Sequence, residues 1–435
     1  MKLNPFFWRK KQPFSRLQRI MGPGLITGAA DDDPSGVVTY SQSGAQFGYS
    51  QLWTVLFMYP LMTAIQEVCA RIGAVTGKGI AAVVRERYSR KVLYSVVTLV
   101  VLANTINIGA DLGAMAAAAR LVVPLPYAFF AVTFTIAILL LEILTTYRVY
   151  AKVLKWLALS LLAYPLTALI VSQPWGELLR ATFVPHIELK FGFFFIIIGV
   201  LGTTITPYMF FWQASEEVED ERAAHLLNKI TGIPRVTRGL IRDIRIDTIV
   251  GMLASEVTTW FIIVATATVL NHHGITNINS ASDAAGALQP LVNTFPHAGL
   301  VAKCLFAGGI IGLGLLAVPV LAGSASYALS EAIGWNEGLY RKFRQAHGFY
   351  GVITLAILVG LAVNFLGINP MKALVFAAAF NGVAAVPLIF IIAKLGRDED
   401  VMGDYRSGKL SVALVWATFV GMSIAALGLL ATLIF

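Results

Sequence analysis

Charge is what this sequence lacks. Only 13% of its residues are charged, against about a quarter in an ordinary soluble domain. Hydrophobic residues make up 57% of the 435 positions, so the chain reads as a polytopic membrane protein. Cysteine is equally scarce. Cys69 and Cys304 both fall in apolar stretches, which excludes a disulfide framework and a thiolate metal cluster. No cleavable signal peptide is expected, because the basic N-terminus runs into an apolar stretch without a small-residue cleavage site. No Ser/His/Asp, zinc-binding or phosphate-loop arrangement stands out, which argues against an enzyme. The six histidines lie away from the polar breaks described below, and His272 and His273 have no ligand spacing to them. Low-complexity tracts and basic runs interleaved with aromatics are also missing. The net charge of +9 therefore does not point to nucleic acid.

What is present is a series of apolar segments of about the 17–25 residues that a membrane helix needs. Eleven can be marked, at 20–47, 51–75, 92–119, 127–146, 149–172, 191–216, 246–270, 299–330, 349–366, 371–394 and 411–434. With the N-terminus inside, 28 of the 33 Lys and Arg residues fall on one side. That asymmetry predicts a cytoplasmic N-terminus and an outer C-terminus. The expected organisation is a basic tail (1–19), a first repeat (20–172), an outer loop (173–190), a second repeat (191–394), and a loop with the last span (395–435).

Two segments contain polar breaks. In the first, Asp31-Asp32-Asp33-Pro34-Ser35-Gly36 interrupts an apolar run from Met21 to Phe47. A charge at mid-membrane costs about 2.5–3.5 kcal/mol on insertion scales, so carboxylates there form a functional-site hypothesis. Pro34 has no N–H and pushes Asp33 out of helical dihedrals. Gly36 loosens the chain further. In the sixth segment, small residues and the hydroxyls of Thr203, Thr204 and Thr206 precede Pro207. One proline kink is ordinary in a membrane helix. Breaks in spans 1 and 6 together are what a five-plus-five inverted repeat places at a transporter's ion site. No residue-level repeat is visible.

With these breaks, the sequence resembles the NRAMP (natural resistance-associated macrophage protein) family of divalent-metal transporters. Gly22-Pro23-Gly24 before Asp33-Pro34-Ser35-Gly36 resembles the family's first-helix pattern, which ends Asp-Pro-Gly-Asn. The most specific match is Gln66-Glu67-Val68-Cys69-Ala70-Arg71-Ile72-Gly73 with Thr76-Gly77-Lys78. Gly109-Ala110-Asp111-Leu112 is similar to Ala-Thr-Asp-Leu in span 3, and span 6 matches Gly-Ala-x-x-Met-Pro-His in part. The resemblance covers the whole chain. It implies an all-α polytopic fold of eleven transmembrane helices, a LeuT-type inverted repeat with helices 1 and 6 broken. The departures also carry information. The family's metal-binding Asn falls on Gly36, its metal-binding Met on Thr206 and its proton-pathway His on Tyr208. The acid three positions after the span 3 Asp falls on Ala114, and the span 9 arginine pair is absent from Gly351 to Leu366. These positions resemble those of the distant prokaryotic NRAMP-related magnesium transporters.

Asp33 is the expected metal ligand, direct or through water, and a carboxylate there can also cap the second half of span 1. Thr203 corresponds to a family residue offering a backbone carbonyl, and the turn before Pro207 leaves carbonyls free. Thr206 is expected to offer its hydroxyl or a bridging water, unless it bonds back to its own helix. Gly36 is expected to leave room for water. Asn381 lies one residue out of register with a metal-binding Gln of the family. Asp31 and Asp32 have no family counterpart. Helical neighbours do not face the same way, so at most one joins Asp33 unless the chain is unwound. Asp32 is assigned to the metal site as a supporting or vestibule carboxylate and Asp31 to a supporting or gating position, the alternative for both being hydrogen bonds to neighbouring helices. Asp111 is a candidate for gating, or a buried hydrogen-bonded acid. Tyr208 is expected to pack with a satisfied hydroxyl, since a group titrating near about 10 is a poor proton relay. Glu67 and Arg71 should pair. Glu216, Glu217, Glu219 and Asp220 read as a solvated helix end, the alternative being an inner vestibule that concentrates cations.

A thioether favours transition metals, and a hydroxyl in its place leaves an oxygen-only site. Mg²⁺ dehydrates reluctantly and suits one or two carboxylates plus waters, while Mn²⁺ accepts the same donors. The expectation is a secondary transporter of Mg²⁺, and also Mn²⁺, in a prokaryotic inner membrane, without obligatory proton coupling. The ion is cargo, no cofactor is expected, the other partner is the lipid bilayer, and a monomer is compatible. One alternative is proton-coupled Mn²⁺/Fe²⁺ symport with Asp33 and Asp111 carrying protons. The other is a sodium- or proton-coupled symporter of an organic solute such as an amino acid. Acidic residues at the break argue against an anionic substrate.

Overall fold

Proline is tolerated in the first turn of a helix, where its missing N–H has no partner to lose. Pro34 and Pro207 both occupy that position, each where a span restarts. The computed structural model describes residues 23–144, 162–223, 234, 236–294 and 297–434. The first span is split into α1 (Pro23–Asp31) and α2 (Pro34–Phe47), and α3 (Leu52–Thr76) follows. A short α4 (Ile80–Arg87) leads to α5 (Arg90–Val122), α6 (Tyr127–Leu144), α7 (Ala163–Ile170) and α8 (Trp175–Phe183). The sixth span is split into α9 (Phe191–Thr204) and α10 (Pro207–Ala223), followed by α11 (Arg238–Val269). Short α12 (Ala281–Gly286) and α13 (Gln289–Val292) precede α14 (Ala298–Ile333) and α15 (His347–Val363). The chain finishes with α16 (Pro370–Leu395), α17 (Glu399–Met402) and α18 (Lys409–Ile434). Ten of the eleven expected spans correspond to these helices. The fifth, 149–172, lies mostly outside the described residues, as do the basic tail 1–19 and residues 224–233.

The split helices form the centre. α2 is buried from Pro34 to Ala45, because α9, α11 and α16 surround it. α1 packs on α11 and α10, and α5 lies along α14. At the periphery, Leu140, Leu355 and Ile424 are exposed, as expected of side chains that meet lipid.

Two sequence expectations about the basic face have different outcomes. Arg71 donates from Nε to Glu67 Oε1 at 3.0 Å, so that pair forms. The acidic end of span 6, however, is not solvated. Glu216, Glu217 and Glu219 are buried and Asp220 is half-buried, because α10 continues past them and is covered by α3, α4 and α14. Tyr327 OH donates to Glu219 Oε1 at 2.7 Å, and Gln213 Nε2 donates to Glu217 Oε1 at 3.1 Å.

Candidate metal site at the paired helix breaks

The first break consists of Asp32 and Asp33, between the end of α1 and Pro34. Asp33 is extended, at φ −67° and ψ 171°. Its Oδ1 accepts from Gly36 N–H at 2.7 Å and from Ser35 Oγ at 2.6 Å, which caps α2. Its Oδ2 accepts from Asn107 Nδ2 at 3.0 Å. Pro34 also deprives the Ala30 carbonyl of its helical donor. Tyr208 OH supplies one at 2.9 Å, so that hydroxyl is occupied and ties the two breaks together.

The second break consists of Ile205 and Thr206. Pro207 has no N–H to offer the Thr203 carbonyl four residues back, which frees that oxygen for a cation. Thr203 Oγ1 lies 3.4 Å from Ser35 Oγ, and Thr204 Oγ1 lies 3.0 Å from Tyr40 OH. Thr206 Oγ1 is buried and has no hydrogen-bond partner. Leaving a polar group unpaired costs about 1–3 kcal/mol, a cost that an ion or its water would remove.

Asn107 on α5 and Asn381 on α16 complete the group. Asn381 Nδ2 donates to Asn107 Oδ1 at 3.5 Å, so Asn381 reaches Asp33 through Asn107. Asp111, one turn beyond Asn107, is fully buried near Asp33, and neither of its oxygens has a side-chain hydrogen-bond partner. Asp33, Asn107, Thr203, Thr206 and Asn381 are each no more than 2% exposed, so the site is occluded from solvent. Asn107 was not among the sequence candidates. Its signal is the run Asn104, Asn107, Asp111, whose spacing of three and four places all three on one helix face. Replacing Asn107 by leucine leaves Asp33 Oδ2 without its donor. The expected result is a rise of about tenfold in the half-saturating metal concentration, at the low end of effects seen when a ligand's supporting partner is lost. Radiotracer uptake checks it.

Gly36 leaves less space than its missing side chain suggests. A Cβ there would stand 3.2 Å from both Thr203 Oγ1 and the Tyr40 ring, and 3.3 Å from Asp31 O. Room for water beside Gly36 is therefore taken by Tyr40 and Thr203. Asp31 and Asp32 turn to α11, where Ser255 Oγ lies 2.5 Å from Asp31 Oδ2 and 3.2 Å from Asp32 Oδ1. Among the described residues, no three His, Cys, Asp or Glu side chains converge as metal ligands. The Asp33 group offers one carboxylate with hydroxyls, amides and a freed carbonyl, a donor set that fits a hard dication keeping part of its water.

The sequence model of the natural resistance-associated macrophage protein-like (Nramp) family matches residues 24–432. This chain belongs to the Nramp family. The divalent metal cation transporter MntH of Deinococcus radiodurans is 26% identical over 410 residues, 92% of this chain and 87% of that protein. The structure of the Eremococcus coleocola manganese transporter, in complex with an aromatic bis-isothiourea substituted compound, matches with a TM-score of 0.73 at 16% identity. That match covers 98% of this chain and 88% of the other. MhsT in complex with L-phenylalanine matches with a TM-score of 0.60 at 12% identity, over 93% of this chain and 98% of the other. These structural likenesses show the LeuT-type fold. Nramp proteins are divalent-metal transporters, so this chain is an integral membrane transporter of that type and not an enzyme; the metal is its cargo.

Proposed function

We propose that this Nramp protein carries Mg²⁺, and also Mn²⁺, by alternating access about the breaks at Asp33 and Thr206. In this reading the two repeats are 20–172 and 191–394, the N-terminus is cytoplasmic and the C-terminus lies outside a prokaryotic inner membrane. Transport has no obligatory proton coupling. The supporting observation is the donor set. Thr206 stands buried and unpartnered at the second break, where a thioether would select softer metals. The names of the Deinococcus and Eremococcus proteins support the dication class.

The test is uptake into proteoliposomes carrying a Mg²⁺ or Mn²⁺ reporter, with internal pH followed in parallel. Metal entry without stoichiometric acidification is expected. A second reading, proton-coupled Mn²⁺/Fe²⁺ symport, draws on Asp111, buried without a side-chain partner near Asp33; tight acidification would favour it. Inhibition by amino acids and not by metals would instead support an organic-solute symporter. The donor-set argument also predicts the Thr206→Met variant. Adding a thioether is expected to lower the Cd²⁺ concentration that half-inhibits Mg²⁺ uptake by about tenfold, following ligand softness. A competition series with Cd²⁺ and Ca²⁺ checks it, because Ca²⁺ should gain nothing.

A further inference from the structure

Between α1 and α11 lies a second group of buried oxygens that the Asp33 site does not use. Ser255 shares one hydroxyl between Asp31 and Asp32. One hydroxyl proton cannot serve both fully. Asp31 Oδ1 has no partner. Glu256, next along α11, is 3% exposed, both its oxygens lack a partner, and its carboxylate lies within electrostatic reach of Asp31 and Asp32. Thr259, one helical turn beyond Ser255, is 1% exposed and turns its hydroxyl toward Asp32. Among the described residues, no Lys, Arg or His pairs with Asp31, Asp32 or Glu256. An uncompensated buried charge costs several kcal/mol, and here three acids share one buried seam.

We propose that this seam is a second cation site, separate from the Asp33 group, which takes a divalent ion with much of its water retained. Three acids and only oxygen donors favour a hard dication, since a monovalent ion would leave two charges uncompensated. Among the described residues, no three carboxylates converge as direct ligands, so the ion would have to be held through its waters, as one that dehydrates reluctantly can be. Asp31 ends α1 and Glu256 belongs to α11, so the ion clamps the first half of span 1 against α11. The inference rests on the dication reading above.

Equilibrium Mn²⁺ binding to the purified full-length protein tests it, read by electron paramagnetic resonance with melting curves alongside. The wild type is expected to bind two Mn²⁺ per chain. Asp33→Asn should lose one and keep the other. Glu256→Gln should weaken the other about tenfold or more and leave the first. Thr259→Val, a near-isosteric change, should weaken the same ion by a smaller factor, and it carries the test if Glu256→Gln does not fold. A single Mn²⁺ that Asp33→Asn removes and neither α11 variant affects would overturn the second site. Occupancy by Na⁺ or K⁺ that excess Mn²⁺ does not displace would overturn its dication character. Two Mn²⁺, both indifferent to Asp33→Asn, would sink the Asp33 reading instead and leave the seam standing.

Discussion

Replacing Asp33 by asparagine is expected to cut Mn²⁺ or Mg²⁺ uptake about hundredfold while leaving the fold in place. The two roles of Asp33 can be separated by this choice. Asparagine caps a helix as well as aspartate does, so its amide oxygen can still accept the Gly36 N–H. Asn107 can turn its own amide over to suit the new NH₂ group. The charge is lost. A dication bound at mid-membrane would then be held by neutral oxygens alone. Hundredfold corresponds to about 2.7 kcal/mol, which is less than the several kcal/mol needed to desolvate an ion without a counter-charge. Asp33→Ala removes the cap as well and should add a loss of about 1 kcal/mol in stability. Uptake and melting temperature measured together distinguish the roles. Full uptake by Asp33→Asn would move the counter-charge to Asp111 or to the α11 seam.

The breaks were legible because proline and mid-membrane acid are strong local signals. Pro34 and Pro207 each occupy the first turn of a restarted helix, as a residue without an N–H must when its span continues. What surrounds the breaks was less legible, because it depends on which helices meet there. Asn107 and Asn381 lie 274 positions apart, and nothing local to either announces the other. Gly36 suggested space only because the residues that fill it, Tyr40 and Thr203, come from a later turn and another span. The acidic end of span 6 looked solvated because its composition is that of an exposed helix end. Tyr327 and Gln213 receive two of those carboxylates inside the protein. Asp31 and Asp32 differ from Asp33 for a related reason. Two unwound residues between helices change which neighbour each side chain meets, and the partner on α11, Ser255, has no spacing relation to the break.

Valine in place of Gly28 has the other large expected effect, acting on the packing of α1 without touching a ligand. A Cβ at Gly28 would overlap the backbone of Gly251 on α11. The obstacle is main chain, so no side chain can turn aside, and α1 must step away from α11. That movement strains two anchors of α1. Gly24 N–H donates to Asp247 Oδ2 at 2.7 Å, and Thr27 Oγ1 donates to Gln213 Oε1 at 2.6 Å. Overpacking costs about 1–3 kcal/mol, which shifts a two-state equilibrium about 5- to 150-fold away from the occluded arrangement described above. Uptake should therefore fall by about tenfold or more. A cysteine at Thr248, which is buried against Gly24, should react faster with a hydrophilic thiol reagent in the Gly28→Val background, once exposed Cys304 has been replaced. Gly299→Ala is the control. It introduces a Cβ into open space near the start of α14, where alanine gains up to about 1 kcal/mol over glycine, and it should change neither uptake nor labelling. If Gly28→Val leaves both unchanged, the close approach of α1 to α11 is not part of the occluded state, and the transport cycle must close elsewhere.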